Sequence, residues 1–92
     1  VDADNPQLEV AIRAWALRDP VVRGFQEKVD KKRMAYCVLL CDGLTKNKTE
    51  AKMWGELVFT VFVGAQQTIP ALRGKRLAKL YGELQRLYEA AM

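Results

Sequence analysis

Cys37 and Cys41 stand four residues apart, a spacing that on a helix sets both sulfurs along one flank. Such a pair could contribute to a metal site or act as a redox couple. A zinc site takes four ligands, commonly Cys and His, and the sequence contains no histidine. The same lack rules out a Cys–His nucleophile, and there is no serine to serve as a hydroxyl nucleophile. Free cysteines favour interiors, so the expectation is two buried, inert thiols, with a redox or metal role as the alternative. The carboxylates fall mostly at helix starts and on polar faces beside Lys or Arg, where nothing singles out a general acid or base. No Gly-rich phosphate loop is present. The sequence therefore points to no catalytic residue, no metal and no cofactor: not an enzyme.

Cations are the next candidates. Lys28, Lys31, Lys32 and Arg33 cluster, with aromatic residues nearby. A nucleic-acid stacking platform needs exposed aromatics, whereas here the Trp and most Phe residues recur at core spacing. No pair of short helices joined by a tight turn suggests a helix-turn-helix. The formal net charge is +4, with both signs interspersed, which describes a solvated surface better than a DNA footprint.

The chain has 92 residues, 50% of them hydrophobic. One domain spanning 1–92 is expected, and a chain this short hides only roughly two-thirds of its unfolded surface. So apolar a composition in so small a body suggests a partner surface. The start, VDADNPQ, is polar and acidic rather than a signal sequence. The longest apolar run, LVFTVFVGA, is far short of the roughly 18 residues of a membrane helix. The expectation is a soluble, cytoplasmic protein without membrane contact. The first residue is Val1 rather than Met, as in a piece of a longer chain.

Helix punctuation is consistent throughout. Asn5-Pro6 and Asp19-Pro20 each pair an N-cap with Pro at the first helical position. Asp42-Gly43 reads as a stop with Gly in the left-handed conformation, and Asn47 with Glu50 resembles a capping box. Pro70 ends whatever helix precedes it. These signals predict helices over about 6–18, 20–42, 48–69 and 71–91, with no strands.

The helix faces carry more information. In the first helix Leu8, Ala11, Ile12 and Trp15 share a face, which makes Trp15 a core residue, with ligand contact the alternative. In the second, Val22, Phe25, Val29, Tyr36 and Leu40 form a stripe with Arg33 in its middle. That Arg is paired with a carboxylate such as Asp30, snorkels, or faces a ligand. The fourth helix has a clean stripe of Leu77, Leu80, Tyr81 and Leu84, continued by Leu87, Tyr88 and Ala91. The third presents Ala51, Trp54, Val58, Val61, Phe62, Ala65 and Ile69 on one face, with Leu57, Phe59 and Val63 elsewhere. From Leu57 to Ala65 it is apolar nearly all round and needs cover on both sides. A second copy of the chain is the simplest cover, and Gly64-Ala65 would admit a close helix.

The runs AIRAWALRDPVV, VDKKRMAYCVLLCDGL and TEAKMWGELVFTVFVGAQ together resemble the C-terminal part of the tetracycline-repressor (TetR) family of transcriptional regulators. The corresponding positions are Trp15, Asp19-Pro20, Asp30, Arg33, Gly43, Ala51 and Gly64-Ala65-Gln66. The resemblance covers about residues 8–69, and the fourth helix fits the family's terminal dimerisation helix.

The resemblance implies an all-α, four-helix, antiparallel-type domain that dimerises through its last two helices. Its function would be effector sensing in a bacterial repressor, with ligand binding releasing operator DNA. The family's N-terminal helix-turn-helix has no counterpart in these residues, so DNA would be bound only through that absent domain. A two-fold interface would gather Val58, Phe62, Ala65, Leu77, Tyr81, Leu84 and Tyr88. An apolar effector pocket would be walled by Trp15, Tyr36, Leu40, Trp54 and Phe59, with Tyr36 as polar handle and Arg33 favouring an anionic ligand. The effector is a small molecule of unspecified identity. The alternative is a stand-alone helical dimeric scaffold without ligand.

Overall fold

The computed structural model describes residues 5–45 and 47–91, and among these it contains four helices and no strand. They are α1 (Pro6–Ala16), α2 (Pro20–Asp42), α3 (Lys48–Gln67) and α4 (Gly74–Ala91). Three starts are set by local chemistry. The Asn5 side chain accepts from the Leu8 N–H at 3.1 Å. Asp19 accepts from Val21 and Val22 at 2.9 and 3.3 Å, and Asn47 from Thr49 and Glu50 at 2.8 and 3.4 Å. Each cap satisfies N–H groups that the first helical turn leaves without a partner.

Details of the expected ends change. Gly43 follows α2 in right-handed geometry (φ −75°) rather than left-handed, and the one Gly at positive φ is Gly74 (59°), which opens α4. Glu50 completes no capping box: its carboxylate instead accepts from the Tyr88 hydroxyl at 3.0 Å. α3 stops at Gln67, leaving Ile69 outside the helix and 99% exposed. The link to α4 then turns back, with the Leu72 N–H donating to the Ala65 carbonyl at 2.8 Å. That turn delays α4 by three residues from the expected start.

α2 and α3 form an antiparallel hairpin that carries most of the packing, and α1 lies against both. The two helices approach closely at Gly55, where an added Cβ would lie 2.6 Å from the Val38 Cα. α4 runs antiparallel along α3, and none of its described residues is buried. Two tyrosines tether it. The Tyr81 hydroxyl donates to the Val58 carbonyl at 3.2 Å, and the Tyr88 ring sits 4.6 Å from that of Trp54.

The result is an open body. Its radius of gyration is 14.4 Å, against about 12 Å for a compact chain of this length. A monomer of 10.4 kDa is expected to expose about 5,400 Å², and this one exposes 7027 Å². The buried apolar residues are small apart from Phe59: Ala16, Cys41, Ala51 and Ala65. Trp15, expected in the core, is 53% exposed, and Phe25 across the break is 67% exposed. No helix among the described residues is long and apolar enough to cross a membrane.

Candidate functional site

The inward faces of α1 and α2 are mixed, with charged and polar side chains among half-buried Ile12, Val22, Val29 and Val38. On α1 the residues turned to the hairpin are Pro6, Glu9, Arg13 and Ala16; on α2 they are Gln26, Asp30, Arg33, Cys37 and Cys41. Both sets recur at three- and four-residue steps, as one face of a helix must. Two bidentate pairs clamp the helices. Arg33 donates to both Glu9 oxygens at 3.1 and 2.8 Å, and Arg13 donates to both Asp30 oxygens at 2.9 and 3.0 Å. Gln26 adds a third bond to Asp30 at 3.0 Å. Arg23 closes the joint by donating to the Ala16 and Leu17 carbonyls at the end of α1. Arg33 therefore pairs with Glu9, not with Asp30 as its sequence neighbourhood suggests. Both Asp30 oxygens are taken by Arg13 and Gln26, whereas Glu9 offers both of its own to the Arg33 guanidinium from the facing helix.

These contacts shape the acid–base behaviour. Burial raises the Asp30 pKa, but hydrogen bonds from Arg13 and Gln26 and the charges of Arg13 and Arg33 outweigh it, leaving Asp30 below its ordinary 3.8. Arg33 is held further above its usual value, first by its hydrogen bonds with Glu9. Because the folded state favours ionised Asp30, its stabilisation is complete above the ordinary carboxylate pKa. It is lost as pH falls through the depressed value. Thermal midpoints should therefore drop as pH is lowered from about 5 to 2, and Asp30→Asn should flatten that slope. An unchanged slope in Asp30→Asn, read by circular dichroism, would place the acid sensitivity elsewhere.

Beside the clamp, α2, α3 and α4 enclose a groove of about 430 Å³. Its surface is almost wholly apolar, built by Tyr36, Val58, Phe59, Phe62 and Tyr81, with Cys37 in the wall and Lys32 and Arg33 alongside. The volume lies in the range of small-molecule sites. The Arg33 guanidinium is already committed to Glu9, whereas Lys32 makes no ion pair among the described residues. Burial pushes the Cys37 thiol above its ordinary pKa, and burial followed by the neighbouring Cys37 raises Tyr81 to about 12. Both are neutral at physiological pH, in keeping with an apolar wall. Cys41, one turn on, is buried and its thiol is also pushed up by burial.

Of the expected pocket residues, the groove brings together Arg33, Tyr36 and Phe59. Trp15 and Leu40 are exposed away from it, and Trp54 packs on Tyr88 instead. Of the expected interface residues, Val58, Phe62 and Tyr81 line the groove, Ala65 is buried within the chain, and Tyr88 tethers α4. Leu77 and Leu84 lie half-buried on α4. Glu9, Arg13 and Gln26 carry no feature in the sequence that marks them individually. The available signal was the stripe Gln26, Asp30, Arg33, Cys37 and Cys41, which ends in two residues that favour interiors.

A second, larger cavity of about 900 Å³ lies at the other end of the chain, between the start of α1 and the α3–α4 link. It shares no lining residue with the groove. No protein-family model matches this chain, and no curated protein or solved structure is detectably similar to it.

Proposed function

We propose that this chain is the effector-binding and dimerising region of a bacterial tetracycline-repressor-like regulator, acting on operator DNA through a domain outside these residues. The observation that carries the reading is the apolar groove walled by Tyr36, Phe59, Phe62 and Tyr81. Its volume and lining suit a largely apolar small molecule, and Lys32 at its edge suits one negative charge. The order of sequence features quoted above supplies the family. The exposed area supports self-association: the surface in excess of a compact monomer is about 1,600 Å². If two copies buried it mutually, the interface would total about 3,200 Å², within the range of obligate homodimers. The outer faces of α3 and α4 are the surfaces for it. Ligand would then bias two arrangements of the dimer to the extent that it binds one more tightly.

Two measurements test this. Sedimentation velocity at micromolar concentration should give a dimer, converted to monomer by Leu87→Asp, an exposed position on α4; a monomeric parent chain overturns the dimer. The probe 1-anilinonaphthalene-8-sulfonate, an apolar ring system with one anion, should slow alkylation of Cys37 by iodoacetamide. Lys32→Glu should weaken that protection. Alkylation at the same rate with and without probe removes the groove as a ligand site and leaves the scaffold reading.

A further inference from the structure

The clamp uses one member of the cationic cluster Lys28, Lys31, Lys32 and Arg33, and the groove edge a second. Along α2, the positions Val21, Phe25, Lys28, Lys32, Tyr36 and Leu39 follow one another at steps of three and four residues. They therefore share one face, about 27 Å long. That face is turned away from the α1–α2 joint. Its four apolar members are between 62% and 69% exposed, and both lysines are exposed. No carboxylate stands at these positions, and neither lysine makes an ion pair among the described residues. We propose that this face of α2 docks on an anionic lipid surface, lying along it rather than crossing it.

The make-up of the face selects the occupant. Large apolar side chains spread along a helix are stabilised at the boundary between headgroups and acyl chains, and ammonium groups beside them meet lipid phosphate. The lysine stems can lie on the apolar strip while their charged ends reach outward. A nucleic-acid strand would stack on Phe25 and Tyr36 but leave Val21 and Leu39 in water. A second copy set face to face would bring lysines near lysines, with no carboxylate at these positions to answer them. A protein partner binds most firmly where an anchor side chain fills a pocket, and Val21, Phe25, Lys28 and Leu39 line neither cavity. A fluid lipid surface needs no such matching shape. The expectation of no membrane contact rests on the lack of a spanning segment, and a helix lying along a bilayer needs none. The groove reading does not enter, because Phe25 and Lys28, which decide the test, lie outside the groove.

The test is cosedimentation of the 92-residue chain with sucrose-loaded vesicles. Vesicles of phosphatidylcholine with about 30% phosphatidylglycerol should bind it at sub-millimolar lipid, and phosphatidylcholine alone at least about tenfold more weakly. Lys28→Glu should weaken binding to the anionic vesicles about tenfold or more, as should salt at about 0.5 M. Phe25→Ser, which removes one apolar anchor, should weaken it about fivefold or more. Both side chains are exposed, so each variant should keep the helix content of the parent by circular dichroism. The proposal is overturned if the parent chain fails to sediment with anionic vesicles at about 1 mM lipid. Equal binding to neutral vesicles overturns it, and so does an affinity unchanged by Lys28→Glu or by Phe25→Ser. An oligothymidylate strand that binds where vesicles do not would assign the face to nucleic acid instead.

Discussion

Arg33→Ala is expected to bring the chain close to unfolding at room temperature. Glu9 is 3% exposed, and among the described residues its carboxylate is paired to Arg33 alone, through two bonds of 3.1 and 2.8 Å. Truncating Arg33 leaves that carboxylate in the α1–α2 joint without a counter-charge, and breaking a buried pair in this way costs about 3–5 kcal/mol. A chain of this length is stabilised by only about 5–14 kcal/mol in total, and so open a body belongs at the low end. The double variant Glu9→Leu/Arg33→Met should be far less damaged, because replacing both charges with apolar groups avoids the orphan. Urea unfolding followed by circular dichroism reads both, and the double-mutant cycle isolates the coupling. A loss below about 1 kcal/mol for Arg33→Ala would mean the pair behaves as a solvent-screened surface contact, and the clamp would not hold α1.

Gly55→Ala and Gly64→Ala, nine residues apart on α3, are expected to change stability in opposite directions. At Gly55 the new Cβ would stand 2.6 Å from the Val38 Cα and 2.7 Å from its backbone nitrogen. Backbone cannot rotate out of the way, so α2 and α3 must separate. Overpacking of this kind costs about 1–3 kcal/mol or more, which exceeds the roughly 1 kcal/mol that Ala gains over Gly in a helix. At Gly64 nothing lies within 4 Å of the added Cβ, so only the helix-propensity gain remains. Thermal or urea midpoints should fall for Gly55→Ala and rise for Gly64→Ala at low protein concentration. A rise at Gly55 would contradict the close α2–α3 approach. A fall at Gly64 that deepens with concentration would mark a second copy's helix lying against it, the contact that the Gly64-Ala65 pair suggests.

The division between what the sequence determines and what the tertiary structure decides follows the range of the forces. The helix spans are legible because their signals are local. Asn5, Asp19 and Asn47 accept from N–H groups two or three residues on, and Pro6 and Pro20 fix the first turn wherever the helix ends up. Of the six residues that the sequence places in one wall, Arg33, Tyr36 and Phe59 do meet across the α2–α3 hairpin, while Trp15, Leu40 and Trp54 do not. Periodicity fixes a face but not which part of it the partner helix covers. Which face of α1 and α2 turns inward is another matter. Apolar periodicity places Leu8, Trp15 and Phe25 inside, yet all three are exposed while Glu9, Arg13, Gln26 and Asp30 lie at the joint. The pairs that reverse the expectation join residues 17 and 24 positions apart, and their worth exists only once the helices meet. A charged side chain reads as a surface residue until its partner is in place, because burying either charge alone is strongly unfavourable and only the partner offsets that cost. The same holds for Gly55. In the sequence it is one glycine among six, and only the position of Val38 makes its missing Cβ a requirement of the fold.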